Sequence, residues 1–392
     1  MLKPARLPAI DLLRGIVIVL MALDHTRDFF AATPFDPMDL LQTSPGWYWT
    51  RWITNLCAPT FVLLAGVSAF LRQQKAGLSN NSRYLLGRGA MLVVLECTWI
   101  TFSWQFGYHV IILQVIWALG MGMIFLSALI WLPRPLIAVI AALLILPHNL
   151  LDALHGPTSG VLFKAWHQGG FLPLGDDLGI AFAYPLMPWV GLMAAGYAMG
   201  PVFLWEAEKR RRFLALSAAA LLLVFVSLRF GNVYGDPDPW SEQAKGSVFS
   251  FLSFMRVHKY PPSLLYLCST LGISLGILAL LDKYVKQRVP VLSLFGRAPL
   301  FFYCVHIALI HALAWVYMGL RYNYYPSFVG RGKKLPEGYE ATLLECYAAW
   351  ATIIVIMFVL TTAWTRWRDA KAGAGAANTA ASQSLAAGSA QS

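Results

Sequence analysis

Ten stretches of this chain are long and apolar enough to cross a hydrocarbon layer as helices, and no feature constrains the fold more. They lie at about 8–30, 52–71, 84–104, 108–131, 135–151, 180–205, 213–230, 262–281, 298–320 and 342–365. A bilayer core about 30 Å thick needs roughly 20 mostly apolar helical residues. The pattern predicts an all-α, polytopic transmembrane bundle of about ten spans. Composition agrees: 58% of the 392 residues are hydrophobic and 12% charged, against roughly a quarter charged in a soluble domain. A soluble globular protein is excluded, because a chain this size could not clothe its core with so few charges.

The charge balance of +11 has two ordinary sources, a nucleic-acid footprint or the positive-inside bias of a membrane protein. Position decides between them. Lys3, Arg6, Arg72, Lys75, Arg83, Arg88, Arg134, Lys209 to Arg212, Lys283, Lys286, Arg288, Arg297, Arg366, Arg368 and Lys371 make 18 of the 30 basic residues, all in connections on the side that holds both termini. Both termini are therefore expected to be cytoplasmic, and no nucleic-acid partner is needed. The opposite side has the long segments near 31–51, 152–179, 231–261 and 321–341, where a binding surface is expected. The first span is too charged near its far end to read as a cleaved signal peptide. From 369 to 392 the chain is rich in Ala, Gly, Ser and Gln without apolar periodicity, and a disordered tail is expected.

Charged groups inside spans are costly and tend to mark function. The first span carries Asp11, Arg14, Asp24, His25 and Asp28. At about 100° per residue, eleven steps bring His25 onto the same face as Arg14, with Asp11 and Asp28 close to it. A histidine with a carboxylate one turn away has what a general base needs, and Asp28, or Asp24, is expected to orient His25. The competing explanations are a snorkelling Arg14 and a satisfied interfacial histidine. Asn55 opens the second span, Glu96 sits midway in the third and His306 a third of the way into the ninth. Glu96 is expected to serve a structural partner. Arg72, Arg83, Arg88 and Arg297 group at the cytoplasmic mouth, either as simple topology signals or as a phosphate site. Trp47, Tyr48, Trp49 and Trp52 suit an interfacial belt or a sugar-stacking platform. The five cysteines lie in apolar runs without a CxxC pair; buried inert thiols are expected, with neither a disulfide framework nor a metal site.

The string Asp11-Leu-Leu-Arg14-Gly15 followed by Asp24-His25 resembles the opening span of membrane acyltransferases. Together with Arg51 to Phe61, Lys259-Tyr260-Pro261-Pro262-Ser263 and Gly296-Arg297-Ala-Pro299-Leu-Phe-Phe-Tyr303-Cys-Val-His306, it is similar to bacterial relatives of heparan-alpha-glucosaminide N-acetyltransferase, over about residues 6 to 320. The resemblance implies one transmembrane acyltransferase-like domain over 1–368 in a bacterial inner membrane. It implies acyl transfer, with acetyl-CoA or another acyl-CoA as donor substrate, no permanently bound cofactor, and an extracytoplasmic glycan or lipid-linked sugar as acceptor. By match of position His25 is the catalytic histidine, and Arg14 and Arg297, with Arg72, belong to the donor half. Lys259, with Tyr260, Asn55 and His306, is expected on the acceptor side. The long loops must recognise the acceptor, because no large extracytoplasmic domain is present. A homodimer is left open. The main rival is a transporter or flippase for a sugar, lipid or anion, which also uses intramembrane Arg, Glu and His, although no inverted repeat is visible.

Overall fold

The computed structural model describes residues 7–175, 178–285, 287, 289–328 and 335–389. Its main helices are α1 (Pro8–Phe30), α2 (Cys57–Ala76), α3 (Leu78–Leu95), α4 (Val115–Leu129), α5 (Arg134–Ile145), α6 (Leu186–Met199), α7 (Ala207–Gly231), α8 (Leu264–Tyr284), α9 (Pro290–Arg297), α10 (Pro299–Tyr322) and α11 (Leu343–Ser389). Eight helical segments have the length and hydropathy of a membrane span. The chain is thus a polytopic helical membrane protein with eight such segments among the described residues, against about ten expected; the other two expected spans coincide with α1, which carries five charged residues, and α4, which is only 15 residues long. Helices suit this solvent because they satisfy every backbone group internally.

Local sequence explains several boundaries. Pro8, Pro290 and Pro299 open α1, α9 and α10 in the first turn, where a missing N–H costs nothing. The Ser263 side chain accepts from the Tyr266 amide and caps α8. Gly77 joins α2 to α3 with φ of 78°, a conformation only glycine adopts freely. Where spans were expected from 108 and from 180, the chain first forms strands β1 (Val110–Leu113) and β3 (Gly179–Phe182). These pair in parallel, while β2 (Gly170–Pro173) pairs antiparallel to β3. The β-branched residues of Val110-Ile-Ile favour that local exception. α11 continues as helix to Ser389, through the segment expected to be disordered; its many alanines are the strongest helix formers, which a reading of low complexity ignores.

Packing relies on close approach more than on hydrophobic driving force, as expected between helices in lipid. A Cβ on Gly15 would run into the Leu292 backbone, and one on Gly296 into the Asp11 carbonyl, so the glycines of both basic motifs sit where α1 crosses α9. Gly66 and Gly196 likewise let α2 meet α6 backbone to backbone. Arg210 and Asp282 form a largely buried ion pair, 2.8 Å at its shortest, that ties α7 to α8. Of the aromatic group near residue 48, Tyr48 and Trp52 turn inward, Tyr48 Oη donating to the Leu252 carbonyl and Trp52 Nε1 to that of Met255, both at 2.7 Å, while Trp49 stays exposed. Cys57, Cys97, Cys268, Cys304 and Cys346 are all free thiols.

Candidate active site

α1 places His25 close to the face opposite the termini, and α10 brings His306 beside it. His25 Nδ1 and His306 Nε2 lie 2.7 Å apart, with the rings stacked at 4.9 Å. His306 Nδ1 faces two carbonyls, Phe302 at 2.9 Å and Tyr303 at 2.8 Å, so we assign its hydrogen to that nitrogen. Its Nε2 then carries the lone pair and accepts from His25 Nδ1. The consequence is a defined tautomer: His25 Nε2 is left bare, as a general base requires. Trp104 closes one side, its ring edge-on to His25 at 5.1 Å.

The carboxylates expected to orient His25 have other work. Arg27 Nη2 lies 3.0 Å from Asp24 Oδ1 and 2.7 Å from Asp28 Oδ1, so the guanidinium two residues beyond His25 draws both acids to itself. Asp24 also faces Arg51 at 3.9 Å and Lys259 at 3.8 Å. The orienting partner of His25 is therefore His306, in place of Asp28 or Asp24. Around the imidazole stand three cations, Arg27, Arg51 and Lys259, against two carboxylates, which favours negative charge developing nearby.

Two cavities meet at this point. The smaller, about 80 Å³, is lined by Asp24, His25, Asp28, Thr54, Trp104, Gln114, Tyr184, Lys259 and Tyr260 among others. The larger, about 570 Å³, is lined by Arg14, Arg72, Lys75 and Arg88 and by apolar residues including Leu92, Leu119 and Met123, with no carboxylate in its wall. Met21, Phe61 and Val115 line both, so they form the partition between a cationic cavity and the His25 chamber. A third hollow of about 320 Å³, bounded by Gln168 to Phe171, Ala181 to Ala183 and Pro185, shares Tyr260 with the chamber.

The expected site residues divide accordingly. His25, Asp24, Asp28, Lys259 and Tyr260 converge on the chamber, and Arg14 and Arg72 on the large cavity. Arg14 Nη2 donates to the Leu64 carbonyl at 3.1 Å and also to Ser68 Oγ, which fixes the guanidinium in the wall. The Arg72 guanidinium rests on the Tyr84 ring at 3.9 Å. Arg297 is not among the lining residues; its Nε donates to the Ser293 carbonyl at 3.2 Å, within α9. Asn55 does not line the chamber either. Its Oδ1 accepts from Arg51 Nη1 at 3.0 Å, so it steadies the cation facing Asp24. His306 stands behind His25 and does not line the chamber. Glu96 is structural as expected: its Oε2 accepts from the Trp117 amide at 2.7 Å and caps the start of α4.

Two further residues were not singled out as site residues from the sequence. Tyr303 Oη and Trp104 Nε1 are buried donors without a hydrogen-bond partner, on opposite sides of the partition. Each is an aromatic residue with a polar handle inside a span, and Tyr303 also stands in the string from Gly296 to His306.

No curated protein matches the chain. The family model for heparan-alpha-glucosaminide N-acetyltransferase, catalytic, matches residues 6–231, which include α1, the cationic cavity's α2 and α3, and the chamber residues as far as Tyr184. Lys259, Tyr260 and His306 lie beyond the matched region. With more than half of its length matched, this membrane protein belongs to the heparan-alpha-glucosaminide N-acetyltransferase catalytic-domain family of acyltransferases.

Proposed function

We propose that the protein takes an acyl group, acetyl in the first instance, from an acyl-CoA on the cytoplasmic side of a bacterial inner membrane. It passes that group to an amine or hydroxyl of a sugar-bearing acceptor on the other side. The observation that carries this reading is the partition: a carboxylate-free cationic cavity on one side and a histidine chamber on the other share Met21, Phe61 and Val115. The CoA phosphates would pair with Arg72, Lys75 and Arg88 near the mouth. The pantetheine arm would follow the apolar wall, and the thioester would come to rest at the partition. The chamber is small, about 80 Å³ against about 570 Å³ for the cationic cavity, which supports acetyl over a fatty chain.

In the chemical step the acceptor N or O attacks the thioester carbonyl while His25 Nε2 removes its proton. Tyr303 Oη or Trp104 Nε1, with the nearby cations, would donate to the carbonyl oxygen as it becomes negative. The C–S bond then breaks, and the proton held on His25 passes to the departing thiolate, giving free CoA and the acylated acceptor. A covalent acyl-His25 intermediate is the alternative route through the same atoms.

The test is to incubate purified protein with radiolabelled acetyl-CoA and a mixture of bacterial glycans, following free thiol and labelled glycan together. Wild-type protein should produce both and His25→Ala neither. Transport of a solute into proteoliposomes without any thiol release would overturn the proposal in favour of a carrier.

A further inference from the structure

Away from the chamber, on the same side of the membrane, the turn that follows α5 meets the segment leading to β2. The sequence offered Asp152, His155 and His167 no conspicuous metal motif, and the expectation of no metal site rested on the cysteines alone. In the fold, one ligand atom from each of the three comes within 4.8 Å of the others. We propose that Asp152, His155 and His167 form a binding site for a divalent first-row transition ion of the zinc type, cross-linking the 148–154 turn to the 164–168 turn.

Each ligand is prepared by a neighbour. His167 is fully buried, and its Nε2 donates to the His148 carbonyl at 2.8 Å, which leaves Nδ1 as the lone-pair nitrogen. That Nδ1 faces His155 Nε2 at 2.8 Å. Asp152 Oδ2 accepts from Asn149 Nδ2 at 2.8 Å, and this turns Oδ1 inward, 3.7 Å from His155 Nε2. Asp152 Oδ1 is buried with no hydrogen-bond partner. The imidazole of His148 is also fully buried, its ring centre 5.6 Å from that of His167, with neither nitrogen hydrogen-bonded. The cluster thus holds more buried acceptor capacity than its hydrogen bonds use, and buried polar atoms without partners call for an explanation. A cation supplies one.

The donor set selects the ion. Two imidazole nitrogens and one carboxylate oxygen, each held by a further hydrogen bond, match the three protein ligands of an open zinc site. Magnesium and calcium prefer oxygen alone. The site also has a structural consequence. Gln168 follows His167 directly and begins the wall of the hollow that Tyr260 shares with the chamber, while Asn149 Oδ1 accepts from the Leu264 amide at 2.9 Å, at the start of α8. A bound ion would therefore set the position of the wall next to Tyr260.

The experiment uses the full chain in detergent, stripped with a chelator and then dialysed against zinc alone, with metal per chain measured by mass spectrometry. Wild type should retain about one ion per chain and gain thermal stability with zinc but not with magnesium. Asp152→Asn and His155→Gln, both at partly exposed side chains, should fold and elute as wild type yet bind zinc at least roughly tenfold more weakly. Cobalt loading should give the absorption of a four-coordinate site in wild type and lose it in His167→Gln. Wild-type protein without stoichiometric zinc or cobalt, or variants that retain the ion as wild type does, would overturn the assignment.

Discussion

His25 Nδ1 and His306 Nε2 meet at 2.7 Å although they lie 281 positions apart, so the tautomer of a histidine on α1 is set by one on α10. On the proposed function His306 is a positioning residue. Removing a general base costs about 10²- to 10⁴-fold in rate, and His25→Ala should fall in that range. His306→Ala should lower kcat by a smaller factor, about tenfold to a hundredfold, and leave KM for acyl-CoA within about twofold. A raised KM with unchanged kcat would mean that His306 holds substrate and does not orient His25.

The cationic cavity makes a separable prediction. Arg72→Gln and Arg88→Gln each remove one cation from a wall that has no carboxylate. A hydrogen bond to a charged group is worth about 1.5–3 kcal/mol, so each change should weaken CoA binding by about tenfold to a hundredfold. Equilibrium binding of CoA to the detergent-solubilised protein measures this directly. Arg297→Gln, outside the cavity wall, should bind CoA as wild type does.

Gly15 gives a test of the helix crossing. Gly15→Ala pushes a methyl group into the Leu292 backbone and should cost about 1–3 kcal/mol, the usual penalty for overpacking. Gly160→Ala provides the comparison, because its φ of −63° suits any residue and no atom lies within 4 Å of the added carbon. Thermal unfolding should show a clear loss for the first and almost none for the second. Equal losses would dissolve the explanation.

The loop carrying Lys259 should respond to pH. His258 Nδ1 lies 3.3 Å from Asp238 Oδ2, and that hydrogen bond, ahead of other causes, raises the imidazole above its ordinary value and lowers the carboxyl. A raised histidine stabilises fully below its ordinary value of about 6.5, and the contribution fades as pH rises through the folded value. A lowered aspartate stabilises above about 3.9 and loses its effect as pH falls through its folded value. The pair therefore contributes most between these limits. Both side chains are over a third exposed, so the effect is small. Melting temperature followed upward from about pH 6 to 8 should decline less in His258→Gln than in wild type.

The polytopic helical bundle was legible because the bilayer imposes a length and an apolar character that survive in a single sequence. The face shared by Arg14 and His25 was legible for a similar reason, since helical periodicity is local. What pairs with His25 was not. Asp28 at i+3 is the carboxylate one helical turn away, but only the fold reveals that Arg27 takes it and that α10 supplies an imidazole instead. Asn55 was found for its polarity yet works through Arg51. Arg297 was grouped with the donor cations by topology, whereas its helix packs on α1 away from the cavity wall. The triad of Asp152, His155 and His167 was invisible because its spacings of three and twelve residues span a long loop with no periodicity to read.

On the proposed function, the cationic cavity beyond the partition of Met21, Phe61 and Val115 and the hollow beyond Tyr260 would give donor and acceptor separate doors to the chamber. Two substrates that never share an entrance do not queue for one. In steady-state kinetics free CoA should compete with acyl-CoA for the cationic door and leave the acceptor's apparent affinity untouched, while the acylated acceptor should do the reverse. The traffic pattern of such an enzyme is that of an airlock, with each product leaving by the door through which its parent came.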